Sequence, residues 1–224
     1  MPNGLRDERL APFPRTEYAV KVNRAEYYAI ISHMDTQIGR IVDHLKKTGQ
    51  DKNTCIVFTA DHGLACGHHG FMGKQNMYDH SVRVPFIVTG KDVPAGERRD
   101  ASIYLQDVVP TPFAWAGVTD TKDVEFKSIL PLIEDKNARS YDAIYGAYTM
   151  TQRQVTDGDW KLIVYPQKNV TLLYNLRDDP QETRDLSNDP KHAGKVKALL
   201  ATLRGLQKET GDPLTLEDGL VARP

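Results

Sequence analysis

A short apolar segment that ends in an acid, an imidazole and a glycine constrains this chain most. Residues 55–60 read Cys-Ile-Val-Phe-Thr-Ala, and Asp61, His62 and Gly63 follow directly. An apolar run of this length is typical of a short strand that is buried on both faces inside a parallel sheet. In open α/β sheets, ligands bind beyond the carboxyl ends of the strands. Asp61 and His62 therefore stand where a catalytic metal is expected.

The sequence before this strand predicts a helix. Apolar side chains recur there at the three- and four-residue spacing of one helix face. Lys46 and Lys47 favour a helix C-terminus, and Gly49 suits the left-handed position just beyond it. A helix that leads by a short loop into a buried strand is half of a βαβ unit, so we predict an α/β fold. Residues 1–23, with three prolines, are predicted to be irregular. The apolar face comprises Tyr27, Ile31, Met34, Ile38, Ile41, Val42 and Leu45.

The pattern changes after about residue 120. Polar and apolar residues alternate in residues 145–155, 160–165 and 171–174, and residues 157–159 read Asp-Gly-Asp. This pattern predicts a small antiparallel sheet with a hairpin turn at Gly158. Residues 191–207 then have the periodicity of an amphipathic helix. We predict a C-terminal α+β subdomain over residues 121–212, which a tail over residues 213–224 follows.

Composition excludes several classes of partner. The formal net charge is −1, which gives no reason to expect nucleic acid or an anionic membrane surface. No apolar run approaches the length of a membrane span. The two cysteines, Cys55 and Cys66, supply no disulfide framework, and Cys55 is predicted to lie in the core.

Histidines cluster after the strand. Four of the seven fall between positions 62 and 80, beside Asp61, Asp79 and Lys74. Carboxylates and imidazoles are metal ligands, and a lysine supplies a compact positive charge for an anionic group. The alternative is a polar surface loop in which histidines cluster by chance. The strand-end position of Asp61 and His62 favours the metal site. The four histidines are His62, His68, His69 and His80.

Several short motifs, in this order and spacing, resemble the sulfatases of the alkaline-phosphatase-like superfamily. The resemblance spans about residues 25–210. It implies that residues 1–120 are the back part of the catalytic sheet domain. The motifs are Tyr27-Tyr28-Ala29, Met34-Asp35, Ile38-Gly39-Arg40, Thr59-Ala60-Asp61-His62-Gly63, Gly67-His68-His69-Gly70, Gly73-Lys74, Tyr78-Asp79, Val82-Arg83-Val84-Pro85, Asp107-Val108-Val109-Pro110-Thr111, Asp159-Trp160-Lys161-Leu162, Leu173-Tyr174-Asn175-Leu176 and Asp179-Pro180-Gln181-Glu182-Thr183.

The resemblance assigns roles to three residues. Asp61 and His62 match the second pair of metal ligands of the family, and Lys74 matches the lysine that contacts the sulfate group. The usual metal of the family is calcium, which prefers oxygen ligands, whereas an imidazole suits manganese or zinc better. We follow the family and expect calcium. His69 either faces the substrate or orients the loop.

The same resemblance implies a function, substrates and a location. The expected activity is hydrolysis of sulfuric esters, as in arylsulfatases, on a sulfated small molecule or glycan. The family is often exported, which implies a periplasmic or extracellular location.

The family's nucleophile is missing from this sequence. Sulfatases use a formylglycine made from the first residue of a C/S-x-P-x-R motif, and neither Cys55 nor Cys66 lies in one. The first pair of aspartate ligands is missing as well. We therefore expect no turnover by this chain alone, with the missing N-terminal half as a candidate partner.

Two alternatives stay open. One is a hydrolase of the same superfamily that acts on phosphate diesters or phosphonates. The other is a non-catalytic fragment that folds only with a complementary chain, in which case an exposed sheet edge is expected where strands are missing.

Overall fold

The computed structural model describes residues 6–118 and 122–216, which form two compact units. The first unit contains the chain up to Gln75 together with His80–Arg98. The second contains Asn76–Asp79 and the chain from Arg99 onward. The predicted domain boundary at residue 120 remains a prediction about the family fold.

A long helix dominates the first unit. Helix α1 spans Glu17–Thr48 and begins after Thr16, whose hydroxyl accepts the backbone N–H of Ala19. It ends at Gly49 with a φ of 71°, as the sequence predicts. The start lies earlier than predicted, because the prolines of the irregular segment all precede the Thr16 cap. Within the described residues, no helix combines the length and apolar character that crossing a membrane requires.

The strand that precedes Asp61 and His62 has an antiparallel neighbour, whereas the sequence predicts a parallel one. Strand β1 is Ile56–Thr59, and it pairs antiparallel with β2, Phe86–Thr89, after the short helix α2, Asp79–Val82. All four β1 residues are half-buried, and Cys55 is exposed. The predictions of a parallel neighbour, of burial on both faces and of a core Cys55 are therefore wrong for the described strand pair. An apolar run specifies a strand, but neither the direction of its neighbour nor what covers its faces.

The second unit has the predicted antiparallel sheet. Its four strands lie in chain order, and each pairs antiparallel with the next. The predicted strand over residues 145–155 is two strands, because the chain turns at Thr149, where φ is 47°. The elements are α3 (Pro110–Trp115), α4 (Leu130–Glu134), β3 (Ile144–Tyr148), β4 (Gln152–Thr156), β5 (Trp160–Tyr165), β6 (Val170–Asn175) and α5 (Ala193–Glu209).

Helix α5 closes the core of this sheet. Its predicted inward residues Val196, Leu199 and Leu203 are buried against the strands. Leu214 and Leu216 join the same cluster, although they fall in the predicted tail, and residues 217–224 lie outside the described residues. The sheet contributes Val155, Leu162, Val164 and Leu173.

Candidate metal and anion site

Asp61, His62 and Lys74 converge at one point of the first unit. The Nδ1 atom of His62 lies 3.0 Å from the backbone oxygen of Gly63 and donates its hydrogen there. The other ring nitrogen, Nε2, therefore carries a lone pair. It accepts from the Lys74 ammonium and lies 3.3 Å from Oδ2 of Asp61. The structure thus brings together the three residues that the sequence singled out.

The separation of the two predicted ligand atoms fits a shared cation. Metal–ligand bonds of about 2.0–2.6 Å place two neighbouring ligand atoms roughly 3 Å apart. The Asp61 carboxylate is 85% exposed and the His62 ring 31% exposed, so both are accessible. No group of three or more potential ligands converges within residues 6–118 and 122–216. If a cation binds here, Asp61 and His62 would supply only part of its coordination shell.

The Lys74 ammonium uses the lone pair that a metal at His62 would need. A nitrogen lone pair cannot donate to a metal and accept a hydrogen bond from an ammonium at the same time. Metal binding would therefore release Lys74, whose charge would then be available to an anion.

The buried carboxyl of Asp7 lies beside this site, and its pKa lies below its ordinary value. The hydrogen bond from Arg6 is the main cause, and the charges of Arg6 and Lys74 add to it.

The loop between His62 and Lys74 folds as a tight hairpin. The backbone N–H of Ala65 donates to Gly73 at 2.9 Å, and that of Gly67 donates to Phe71 at 2.8 Å. At the base of the loop, a Cβ on Gly63 would lie 2.0 Å from the backbone oxygen of His80. Only glycine fits there, directly after the predicted metal pair.

The other three histidines form a separate cluster. The His80 ring lies 5.9 Å from that of His68 and 5.5 Å from that of His69, measured between centroids. Burial, with the charges of Arg24 and His69, lowers the pKa of His68. His69 has a φ of 54°, so it shapes the turn of the loop. These contacts fit a role for His69 in orienting the loop.

Asp79, which the sequence groups with the histidines, belongs instead to a buried network in the second unit. The Lys161 ammonium contacts the Asp79 carboxylate and lies 2.7 Å from Oε1 of Glu182, and its side chain is fully buried. Glu182 also accepts the Asp79 backbone N–H at 2.6 Å. Burial raises the pKa of Glu182, and Lys161 opposes this rise.

Neither cysteine has the features of a nucleophile. Burial raises the pKa of the Cys66 thiol and outweighs the effect of Arg24. Arg24 instead donates to the Cys66 backbone oxygen at 2.7 Å. A raised pKa disfavours the reactive thiolate. Cys55 is exposed and precedes β1.

Sequence reasoning missed two residues beside the site. Glu8 and Arg15 lie in the segment predicted to be irregular, and their side chains contact the loop that ends in Lys74. No periodicity or motif marks them, because their partners are backbone groups more than 50 positions away in the sequence.

Several curated relatives are sulfatases. The chain is 31% identical over 205 residues to an arylsulfatase from Clostridium perfringens, covering 85% of this chain and 42% of the relative. It is 30% identical over 200 residues to an N-acetylglucosamine-6-O-sulfatase from Bacteroides thetaiotaomicron, covering 84% and 36%. The chain thus spans about two fifths of the length of these relatives.

The fold also matches a solved structure. This structure is described as a complex with its substrate D-glucosamine-2-N,6-O-disulfate; the TM-score is 0.75 and the identity 28%, covering 84% of this chain and 41% of that one. The family model described as Sulfatase matches residues 6–118, and the model described as N-sulphoglucosamine sulphohydrolase, C-terminal, matches residues 67–209. Each match spans half of the chain or more, so this chain belongs to the sulfatase family.

Proposed function

We propose that this chain supplies the metal-binding and anion-binding part of a sulfuric ester hydrolase. The convergence of Asp61 Oδ2, His62 Nε2 and the Lys74 ammonium carries the proposal. Asp61 and His62 would hold a divalent cation, with calcium as the family's usual metal. Lys74 would bind an oxygen of the sulfate group.

Each residue has a defined task in this proposal. A bound divalent cation would supply positive charge that stabilises an oxyanion. The Gly63 carbonyl accepts from Nδ1 of His62, and this bond would hold the ring with Nε2 available to a bound cation. Lys74 would add a positive charge whose hydrogen-bond donors can follow the sulfate oxygens.

The covalent nucleophile has to come from another segment. The sequence contains no C/S-x-P-x-R motif from which formylglycine is made. We therefore propose that the amino-terminal part of a sulfatase completes the site, either as continuous chain or as a separate polypeptide. Ile30 and Ile41 of α1 are 66% and 64% exposed, which suits a helix that another segment covers. Without that part, we expect no turnover.

We propose a sulfated sugar as the substrate class. Two of the similar proteins carry names that refer to sulfated glucosamine derivatives. The Asp61 carboxylate is 85% exposed, so the site is open to solvent at this residue.

Metal and sulfate titrations of the chain test the proposal. We expect calorimetry to detect one calcium or manganese ion, and to lose this signal in Asp61→Asn. Lys74→Met should keep the metal and lose the binding of inorganic sulfate. Unchanged metal binding in Asp61→Asn would contradict the proposed ligand, and unchanged sulfate binding in Lys74→Met would contradict the proposed anion contact.

A second assay separates the sulfatase from its sister hydrolases. The chain, with an upstream sulfatase segment restored, is offered an aryl sulfate and an aryl phosphonate ester. We expect faster release of the aryl group from the sulfate. Preference for the phosphonate would favour the alternative activity.

A further inference from the structure

A shielded ion pair lies against the loop that ends in Lys74. Arg15 Nη1 lies 2.5 Å from Oε2 of Glu8, and the two side chains are only 6% and 14% exposed. Arg15 also donates to two backbone oxygens: through Nε to that of Ala11 at 2.8 Å, and through Nη2 to that of Glu8 at 2.6 Å. A shielded pair of charges persists only when its hydrogen bonds are satisfied, so this pair has a fixed geometry.

Both members of the pair hold backbone groups of the loop. The Glu8 carboxylate accepts the N–H of Met72 at 3.2 Å and that of Gly73 at 3.0 Å. Arg15 donates through Nη1 to the Gly70 oxygen at 2.6 Å. These three backbone groups belong to the four residues that precede Lys74. The pair therefore determines the direction in which the chain enters Lys74.

Close packing leaves the loop little freedom on this side. A Cβ on Gly73 would lie 2.6 Å from Cβ of Asp7 and 3.2 Å from Oε1 of Glu8. The backbone N–H of Asp7 donates to the Gln75 side chain at 3.3 Å. The residues on both sides of Lys74 are thus held by the segment that carries Glu8.

We propose that Glu8 and Arg15 are positioning residues for Lys74. They hold residues 70–73 so that the Lys74 ammonium reaches His62 and, when substrate is bound, the sulfate oxygens. The second part of this statement rests on the proposed function. Neither residue has a role in the family resemblance, and the sequence alone gives no sign of one.

The test compares Glu8→Gln with a matched control, Glu17→Gln. Glu17 lies in the same unit and pairs with Lys21 at 2.7 Å, but the side chains are 82% and 73% exposed. The first readout is the acetylation rate of the Lys74 amine in the full chain. It is measured by mass spectrometry with a limiting amount of acetylating reagent, for which all lysines of the chain compete. The second is backbone hydrogen exchange at Met72 and Gly73. Exchange in β1 and β2 is the internal reference for the fold of the unit.

We expect Glu8→Gln to raise the acetylation rate of Lys74 about tenfold, toward that of the exposed Lys21, because a freed loop lets the amine leave His62. Exchange at Met72 and Gly73 should accelerate, while exchange in β1 and β2 stays unchanged. Glu17→Gln should alter none of these rates. Arg15→Lys should act like Glu8→Gln, because one ammonium cannot replace the fork of the guanidinium.

Two results would overturn the proposal. In one, Lys74 reacts at the control rate in both Glu8→Gln and Arg15→Lys. In the other, exchange accelerates equally in β1 and β2, so that the pair only stabilises the unit. Neither readout depends on sulfate binding. If the proposed function is wrong, this test of Glu8 and Arg15 can still be carried out and interpreted. If the positioning proposal is wrong, the metal and sulfate titrations can still be interpreted.

Discussion

Two lysines in this chain differ in their burial and in the groups that their ammonium contacts. In the second unit, Lys161 is fully buried and lies between the carboxylates of Asp79 and Glu182. In the first, Lys74 is half-buried and its ammonium contacts the imidazole of His62. A lysine whose charge is already matched by two carboxylates has no free charge for a ligand. An imidazole brings no negative charge to match that of the ammonium, so a lysine in contact with an imidazole suits the binding of an anion.

The largest expected effect separates these two lysines. Lys161→Met leaves the buried Glu182 and the partly buried Asp79 without their cation, so the second unit should lose about 3–5 kcal/mol of its free energy of unfolding. Lys74→Met should change the stability of the first unit by less than about 1 kcal/mol, because one half-exposed hydrogen bond is lost. Urea denaturation, followed by the fluorescence of Trp115 and Trp160, which both lie in the second unit, measures the first effect. Hydrogen exchange in β1 follows the second.

A pH series sharpens this prediction. The pKa of Glu182 already lies above its ordinary value, and removal of Lys161 removes a cause that lowers it. Glu182 should therefore take up a proton more readily in Lys161→Met, and the loss of stability should be smaller at pH 5 than at pH 8. An equal loss at both pH values would show that the network does not depend on the charge of Glu182.

The core of the second unit gives the next largest effect. Leu203 of α5 is fully buried, so Leu203→Ala should cost about 2–5 kcal/mol of the free energy of unfolding. The measurement is the midpoint and slope of a urea transition. A cost below about 1 kcal/mol would mean that α5 does not close the sheet as the structure has it.

The two units differ in how far the sequence predicted them. In the second, polar–apolar alternation and the period of α5 are local signals, and the sheet satisfies them within the unit, so its strands and inward residues follow from the sequence. In the first, the apolar face of α1 predicted the helix and its end at Gly49. None of its residues is buried within this chain, however, because periodicity does not specify which segment covers a face.

The residues of the candidate site also differ in whether the sequence could predict them. Asp61 and His62 could be predicted because they end an apolar strand, and Lys74 because the family resemblance includes it. Glu8 and Arg15 could not, since their contacts are to backbone groups whose positions depend on the complete loop. Asp79 was grouped wrongly with the histidines, because proximity in sequence hides its pairing with Lys161, 82 positions away.

In the second unit, acid conditions should give a smaller effect through Asp212. Arg153 donates to both carboxylate oxygens of Asp212, at 2.6 and 2.8 Å, and this bond is the main reason why the pKa of Asp212 lies far below its ordinary value. A depressed pKa stabilises the folded state above the unfolded pKa of about 3.9, and this stability is lost as the pH falls towards the folded value. Between pH 5 and 3, the second unit should lose about 1 kcal/mol from this group, because this window reaches only about one pH unit below the unfolded pKa.

The acid effect is checked by urea transitions at each pH, with Asp212→Asn as the comparison. The variant should be less stable at pH 7 and should lack this part of the acid dependence, because asparagine does not titrate. An unchanged pH slope in Asp212→Asn would assign the acid loss to other carboxylates.

The smallest expected effect tests the difference in burial between the apolar side chains of α1 and those of α5. Ile41 of α1 is 64% exposed, so Ile41→Ala should change the stability of the chain by less than about 0.5 kcal/mol, against the several kcal/mol expected for Leu203→Ala. The same truncation should weaken binding once an amino-terminal sulfatase segment is added, if that segment covers α1. Urea transitions of the chain alone, and calorimetry with the added segment, measure the two quantities. A large cost in the chain alone would mean that α1 already packs within it, and equal binding by Ile41→Ala and the unmodified chain would place the partner on another face.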